Sequence, residues 1–171
     1  MKPEPFRWLA GVIAAHPNRK VYGRTRLQKT MKLLQRKGFP TDYQFTIHFY
    51  GPYSEGVNSD VKLLRDLNLV AEELRGTDTP YYVYTASAEA ELPEIAQYSP
   101  LIRMLEKAAD VPLELAATYD AYREIGCNHS EALTRLRHKK GAKCANGNEE
   151  NALALLKQLG LPNDISFDTP A

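Results

Sequence analysis

The chain has 171 residues, with 22 lysines and arginines against 21 acidic residues and a formal net charge of +1. This length predicts one domain with a substantial core, and a content of 43% hydrophobic and 25% charged residues excludes a disordered or fibrous protein. The near-neutral total also excludes a polybasic, histone-like protein. Two cysteines, and no apolar run long enough to cross a bilayer, lead us to expect a cytoplasmic protein without membrane contact.

The spacing of apolar residues in the first half predicts three helices, one strand and a hairpin. The predicted elements are helices at about 5–15, 25–38 and 54–67, a strand at 44–50, and a hairpin formed by 70–74 and 81–85. Thr25 and Gln28 have the spacing of a capping box at the start of the second helix. Gly51-Pro52 is expected to break the strand and turn the chain into the third helix, which Ser54 is placed to cap.

The second half predicts helices alone, at about 92–109 (interrupted near Ser99-Pro100), 112–125, 130–138 and 148–159. Asn148 is a candidate cap for the last helix, and the tail after Pro162 is expected to be frayed. The order of elements predicts a mostly helical α+β fold. Its winged-helix-like core would occupy residues 1–88, with a helical region at 89–171 packed on it to form one compact domain.

The neutral total hides an uneven distribution of charge. Residues 17–39 hold eight bases and no acid, and residues 132–148 hold five more bases and no acid. Two basic regions on an otherwise acidic chain indicate an anionic partner, either a phosphate backbone or an acidic protein surface. Ordinary solvated helix faces are the alternative, and the sequence leaves both open.

A winged helix that reads DNA would place its third helix in the major groove. The segment 54–67 has a net charge of −1, with Glu55, Asp60 and Asp66 against Lys62 and Arg65. Because acidic side chains repel phosphates, sequence-specific reading of DNA by this helix is disfavoured.

Motifs that carry catalysis or metal binding are missing from the sequence. There is no Gly-rich phosphate loop, no metalloprotease motif and no nucleophile elbow. Cys127, His129, His138 and Cys144 do not have the spacing of a zinc site. We therefore expect a non-enzymatic protein with no catalytic residue, no metal and no cofactor.

Several of the ten tyrosines cluster around the predicted strands, at positions 43, 50, 53, 81, 82 and 84. Tyrosines are common at interfaces because they combine apolar area with a hydroxyl group. It is an equally good interpretation that about half of these tyrosines, on one face of the hairpin, simply pack into the core.

Residues 23–73 carry the resemblance to a known family, through the segments Gly23–Lys29, Leu33-Leu34, Gly38, Tyr43–Phe45, Tyr50–Ser54 and Leu64–Leu67. These segments resemble the YwgA-like family of small prokaryotic proteins, which has no settled biochemical role. They are more distantly similar to the SocA-like antitoxins with the Panacea domain. The latter resemblance implies a domain that binds and neutralises toxins.

The sequence therefore predicts a prokaryotic binding or regulatory protein, antitoxin-like or associated with defence, whose partner is a protein such as a toxin. A winged-helix transcriptional regulator that binds nucleic acid is the alternative. The candidate partner-binding residues in either case are Arg24, Arg26, Lys29, Lys32, Arg36, Tyr50, Tyr53, Lys139 and Lys140.

Overall fold

The computed structural model describes residues 2–168. Within that range seven α-helices lie at Pro5–Ala14 (α1), Arg24–Arg36 (α2), Glu55–Asp66 (α3), Ser99–Lys107 (α4), Asp110–Glu124 (α5), His129–Lys140 (α6) and Asn148–Leu159 (α7). Five strands lie at Lys20–Tyr22 (β1), Thr46–His48 (β2), Gly51–Tyr53 (β3), Val70–Arg75 (β4) and Tyr81–Ala86 (β5). The predicted mostly helical α+β class is confirmed. None of the helices in this range is both long and apolar enough to cross a membrane.

The chain divides into two compact units that interleave in sequence. The first unit comprises Met1–Phe45 and Ser54–Lys107, and the second comprises Thr46–Tyr53 and Ala108–Ala171. This division differs from the boundary at residue 88 suggested by the sequence. The short hairpin of β2 and β3 belongs to the second unit because β3 packs against α5.

The first unit contains a three-stranded antiparallel sheet in the order β1–β5–β4. Strands β4 and β5 form the predicted hairpin, with Val70 opposite Ala86 and Arg75 opposite Tyr81. Strand β1, which was not predicted, pairs Tyr22 with Val83 on the other edge of β5. A segment of three residues is too short to show an alternation of polar and apolar side chains. Its pairing with β5, about 60 positions later in the chain, is what makes β1 a strand.

Helix α1 forms the centre of the first unit, with Trp8–Ile13 buried. The Trp8 ring lies edge-on to Phe39 and Tyr98, with ring centroids 5.4 and 6.0 Å apart. Such edge-to-face arrangements are favoured because the positive edge of one ring meets the negative face of another. The aromatic group thereby joins α1 to the chain after α2 and to the segment before α4.

The start of α2 differs from the prediction. The helix begins at Arg24 after Gly23, whose φ of 103° favours glycine, and no side chain caps it. The capping box predicted for Thr25 and Gln28 is therefore wrong. Gln28 instead bonds both backbone polar groups of Ser54, with Nε2 donating to the carbonyl at 3.0 Å and Oε1 accepting from the N–H at 2.8 Å.

The predicted Gly51-Pro52 break is also wrong. Gly51–Tyr53 is itself a strand, and it pairs with Thr46–His48 so that His48 lies opposite Gly51. The turn is made by Phe49 and Tyr50. Ser54 caps α3 as predicted, accepting from the Val57 N–H at 3.4 Å.

In the second unit α5 packs against α6, α7 and β3, and its residues from Pro112 to Tyr122 are buried. Helix α6 begins with a capping box between Asn128 and Glu131. Helix α7 has the predicted bounds, but its N-cap is Gly147, so the cap predicted at Asn148 is wrong.

The tail is anchored rather than frayed as far as Asp168. Its carboxylate lies 2.7 Å from the Arg123 guanidinium and accepts from the His129 N–H at 2.9 Å. Residues 169–171, which the same prediction covered, lie outside the described range.

Candidate binding surface

The bases of α2 are mostly built into the fold of the protein. Lys29 and Lys32 are only 2% and 4% exposed, although the sequence suggested them for partner binding. A helix of 13 residues whose stretch from Leu27 to Leu34 is buried cannot present those lysines to a partner. We therefore remove both from the candidate surface.

Arg24, at the first turn of α2, is half exposed but already engaged. Its guanidinium stacks on the Tyr82 ring at 3.9 Å from the centroid and lies 4.0 Å from the Glu72 carboxylate. Glu72 also pairs with Arg65 at 3.2 Å. Burial raises the pKa of the neighbouring Tyr84 well above its ordinary value, so its phenol stays neutral. The charge of Arg24 is therefore partly neutralised where α2 meets β4 and β5.

The two remaining α2 candidates are intermediate in exposure. Arg26 donates to the carbonyl oxygen of Leu105 at 3.2 Å, which ties α2 to α4. Arg36 lies in the last turn and is half-buried. The predicted basic helix therefore serves mainly to hold the first unit together.

The turn between β2 and β3 carries two exposed aromatic side chains. Phe49 is 81% exposed and Tyr50 is 58% exposed, with their rings edge-on at 5.1 Å. Tyr53, also suggested by the sequence, is half-buried, with its ring centroid 5.1 Å from that of His48. A phenylalanine this exposed contributes nothing to the core, so it is available to a partner.

Phe49 lines a groove of about 620 Å³ in the second unit. The hairpin–helix surface, as we name it, consists of the lining residues Phe49, Tyr122, Thr134, Arg135, His138 and Lys139 together with Tyr50. It combines aromatic rings from the hairpin and α5 with the basic face of α6.

Cation–π contacts connect the aromatic and basic parts of this region. The Lys143 ammonium lies 5.8 Å from the Tyr50 ring centroid, and the Arg135 guanidinium lies 5.9 Å from that of Tyr122. Both distances are within the range at which a cation is attracted to a ring face. These contacts hold Arg135 of α6, and Lys143 in the segment after it, near the aromatic groups.

Three of the five bases in and after α6 are neutralised by acids of the same unit. Lys140 is 8% exposed and its ammonium donates to Glu114 at 2.8 Å, so it too is removed from the candidate surface. Lys143 bonds the same carboxylate at 3.0 Å, and Arg137 bonds Glu149 at 2.7 and 2.9 Å.

Arg135 and Lys139 have no ion-pair partner within residues 2–168. Both line the groove, and His138 lies between them in sequence. The positive charges of Arg135 and Lys139 on the hairpin–helix surface are therefore not neutralised by an acid of residues 2–168.

Of the sequence candidates, the structure brings Tyr50 and Lys139 to this surface. Phe49, Tyr122, Arg135 and His138 were missed as site residues. An aromatic pair directly before Gly51-Pro52 is a signal that could have identified Phe49. Nothing local distinguishes Tyr122, because only the tertiary packing of α5 brings it to α6.

The described residues contain no group of three or more His, Cys, Asp or Glu side chains able to hold a metal ion. Cys127 and Cys144 are free thiols of intermediate exposure. Burial raises the pKa of the Cys144 thiol, so the thiol is protonated at neutral pH.

No protein-family model matches the chain, and a search of curated proteins finds no significant match. The resemblance to YwgA-like proteins stays a prediction that depends on the residues quoted for it. The chemistry of the hairpin–helix surface is therefore the best guide to function.

Proposed function

We propose that this chain is a non-enzymatic binding protein that engages an acidic segment of a partner protein through the hairpin–helix surface. The observation that carries the proposal is the position of Phe49, 81% exposed, at the edge of a groove that Arg135 and Lys139 also line. In protein interfaces a buried aromatic side chain supplies much of the affinity, and neighbouring charged side chains fix the register of the partner.

The composition of the groove favours a protein partner over a phosphate backbone. Only two cations in it lack an acidic partner within the described residues, whereas duplex binding usually involves several phosphate contacts. The rings of Phe49 and Tyr50 add apolar area at the edge of the groove. An acidic peptide with an apolar side chain satisfies both features.

The resemblance to SocA-like antitoxins makes a toxin the first class of partner to test. This resemblance is one of sequence alone. Because function depends on the residues of the site and not on the fold, the resemblance does not by itself assign a function. The context of a toxin–antitoxin or defence system is therefore part of the proposal.

Photo-crosslinking tests the proposal directly. A photo-reactive phenylalanine analogue replaces Phe49 in the full chain, and proteins that become covalently attached in bacterial cells are identified by mass spectrometry. We expect a partner whose attachment is lost when Arg135→Glu and Lys139→Glu are added. Attachment that is unchanged by this double reversal contradicts the proposal.

Two matched controls accompany that experiment. Lys37→Glu with Lys62→Glu reverses two exposed lysines of the first unit, and we expect it to leave the attachment unchanged. The same analogue at Leu74, which is 59% exposed on β4, should capture a different set of proteins.

A winged-helix transcriptional regulator is the second candidate function. The order of elements in the first unit from α1 to β5 (helix, strand, helix, helix, strand, strand) and the sheet order β1–β5–β4 favour it. Against it, Glu55 and Asp66 of α3 would repel phosphates if that helix entered the major groove.

Fluorescence anisotropy of a labelled duplex across several salt concentrations separates the two candidates. A regulator should bind with log affinity falling linearly with log salt, by about 0.9 for each phosphate contact. The protein-binding proposal instead expects no duplex binding even at low salt.

A further inference from the structure

The first unit contains a cavity that the proposed function does not use. Its volume is about 360 Å³, near the lower limit of about 300 Å³ that is typical of small-molecule sites. One wall is formed by Ala15, His16 and Pro17, where α1 ends, and the other by the face of α4 that carries Ser99, Ile102, Arg103, Glu106 and Lys107. The α4 residues recur at helical spacing, so they share one side of that helix.

His16 is the polar group at the end of α1. It is 5% exposed, and its Nδ1 lies 2.7 Å from the carbonyl oxygen of Val12. A carbonyl oxygen can only accept, so Nδ1 carries the proton. Burial lowers the pKa of His16 below 6.5, so the ring is neutral at pH 7 and Nε2 keeps its lone pair.

Nε2 of His16 is buried and has no hydrogen-bond partner among the residues that the structure describes. Such an acceptor has given up its hydrogen bonds to water on folding and has no replacement for them. Unsatisfied groups of this kind are uncommon in native proteins, and a ligand with an N–H or O–H donor would satisfy this one.

The α4 wall provides charges of both signs. Arg103 and Lys107 are exposed cations, and Glu106 is a half-buried acid that interacts electrostatically with His16. A ligand that is only an anion would leave Glu106 and the His16 acceptor without a donor, and a ligand that is only a cation would leave Arg103 and Lys107 without an anion. A small zwitterion avoids both costs.

We propose that this cavity binds a free α-amino acid. Its ammonium group would donate to His16 Nε2 and to the Glu106 carboxylate, and its carboxylate would face Arg103 and Lys107. The apolar surface of Ala15, Pro17 and Ile102 is available to its side chain. This makes the first unit a sensor or carrier of an amino acid, independent of the hairpin–helix surface.

The test begins with thermal unfolding of the full chain in the presence of each common L-amino acid at about 10 mM, which detects millimolar affinity. For L-leucine we also use 4-methylpentanoate, which lacks the amino group, and 3-methylbutylamine, which lacks the carboxylate. We expect at least one amino acid to raise the unfolding midpoint, and the matching analogues that lack either charged group to leave it unchanged.

Nitrogen NMR of the histidine side chains locates the binding. An amino acid that donates to His16 should move the Nε2 resonance of that ring and leave those of the exposed His48 and His138 in place. Arg103→Glu with Lys107→Glu should weaken binding at least tenfold, whereas Lys37→Glu with Lys62→Glu should not change it. Both pairs replace exposed cations, so the fold is preserved in each.

The proposal is overturned if no amino acid changes the unfolding midpoint or the His16 resonance. It is also overturned if the analogues that lack one charged group act as strongly as the complete amino acid. Loss of partner attachment at Phe49 has no bearing on either outcome, because the two sites share no residue.

Discussion

Gln28 holds Ser54 by both of its backbone polar groups, through hydrogen bonds of 3.0 and 2.8 Å. Ser54 is fully buried and also caps α3, so one amide side chain on α2 sets the position at which α3 begins. Buried backbone groups outside regular structure need such partners because water cannot reach them.

Replacing Gln28 should therefore destabilise the protein more than removing the cap itself. Gln28→Ala leaves the buried N–H of Ser54 unpaired and leaves its carbonyl with the longer hydrogen bond of 3.4 Å from the Asn58 N–H, at an expected cost of about 2–3 kcal/mol in unfolding free energy. Ser54→Ala removes only the capping hydroxyl, at about 1 kcal/mol. Chemical denaturation compares the two, and equal losses would show that the Gln28 contacts are unimportant.

Gly11 lies where α1 approaches the chain before α4. A Cβ at this position would meet Ile95 Cγ1 at 2.8 Å and Leu92 Cβ at 3.1 Å. Alanine is the better helix former by about 1 kcal/mol, but overpacking costs about 1–3 kcal/mol. We expect Gly11→Ala to lower the thermal unfolding midpoint.

A double-mutant cycle tests the cause of that loss. Ile95→Ala removes the nearest atom that a new Cβ would meet and leaves only the longer contact with Leu92, so Gly11→Ala should cost less in that background than in the natural chain. Strictly additive losses would mean that the clash with Ile95 is not the reason.

Lys140 and Glu114 form a buried ion pair in the second unit, with side chains 3% and 7% exposed. Lys140→Met leaves the carboxylate with Lys143 alone, and we expect a loss of about 3 kcal/mol, at the lower end for breaking a buried pair. Lys143→Met, at a side chain that is 45% exposed, should cost about 1 kcal/mol or less. Urea denaturation of the two variants gives the comparison.

The same pair predicts a dependence of stability on pH. Burial would raise the pKa of Glu114, but hydrogen bonds from Lys140 and Lys143 overcome this and hold that pKa below 4.5. Because the folded pKa is lower than the unfolded one, the contribution is complete above pH 4.5 and is lost as the pH falls through the folded pKa. Glu114→Gln should reduce the slope of unfolding free energy below pH 4.5, and an unchanged slope would contradict the assignment.

Asp168 anchors the end of the described chain on Arg123, whose side chain is 4% exposed. Asp168→Asn leaves a buried guanidinium without its carboxylate, and we expect a loss of about 2–3 kcal/mol. Asp164→Asn is the control, because Asp164 is exposed and, among residues 2–168, its carboxylate accepts hydrogen bonds from Ser166 alone. Hydrogen exchange at the start of α6 should increase in the first variant and not in the second.

The sequence by itself determined the elements that depend on neighbours along the chain. The 3.6-residue periodicity predicted α7 at its observed bounds, and two β-rich segments joined by a short loop predicted the hairpin of β4 and β5. The cap at Ser54 was equally predictable. In each case the contacts that define the element join residues close along the chain, at most from Val70 to Ala86 in the hairpin, so local composition is sufficient.

Only the tertiary structure decided which side chains are available for function. The basic run of α2 looked like one surface, yet Lys29 and Lys32 are buried and Gln28 reaches Ser54, 26 positions away. The cavity beside His16 likewise joins the end of α1 to a face of α4 more than 80 positions later in the chain. Burial and pairing depend on residues brought together by folding, and no local pattern encodes them. The pattern of bases led us to expect an anionic partner, whereas packing decided which of those bases are exposed at all.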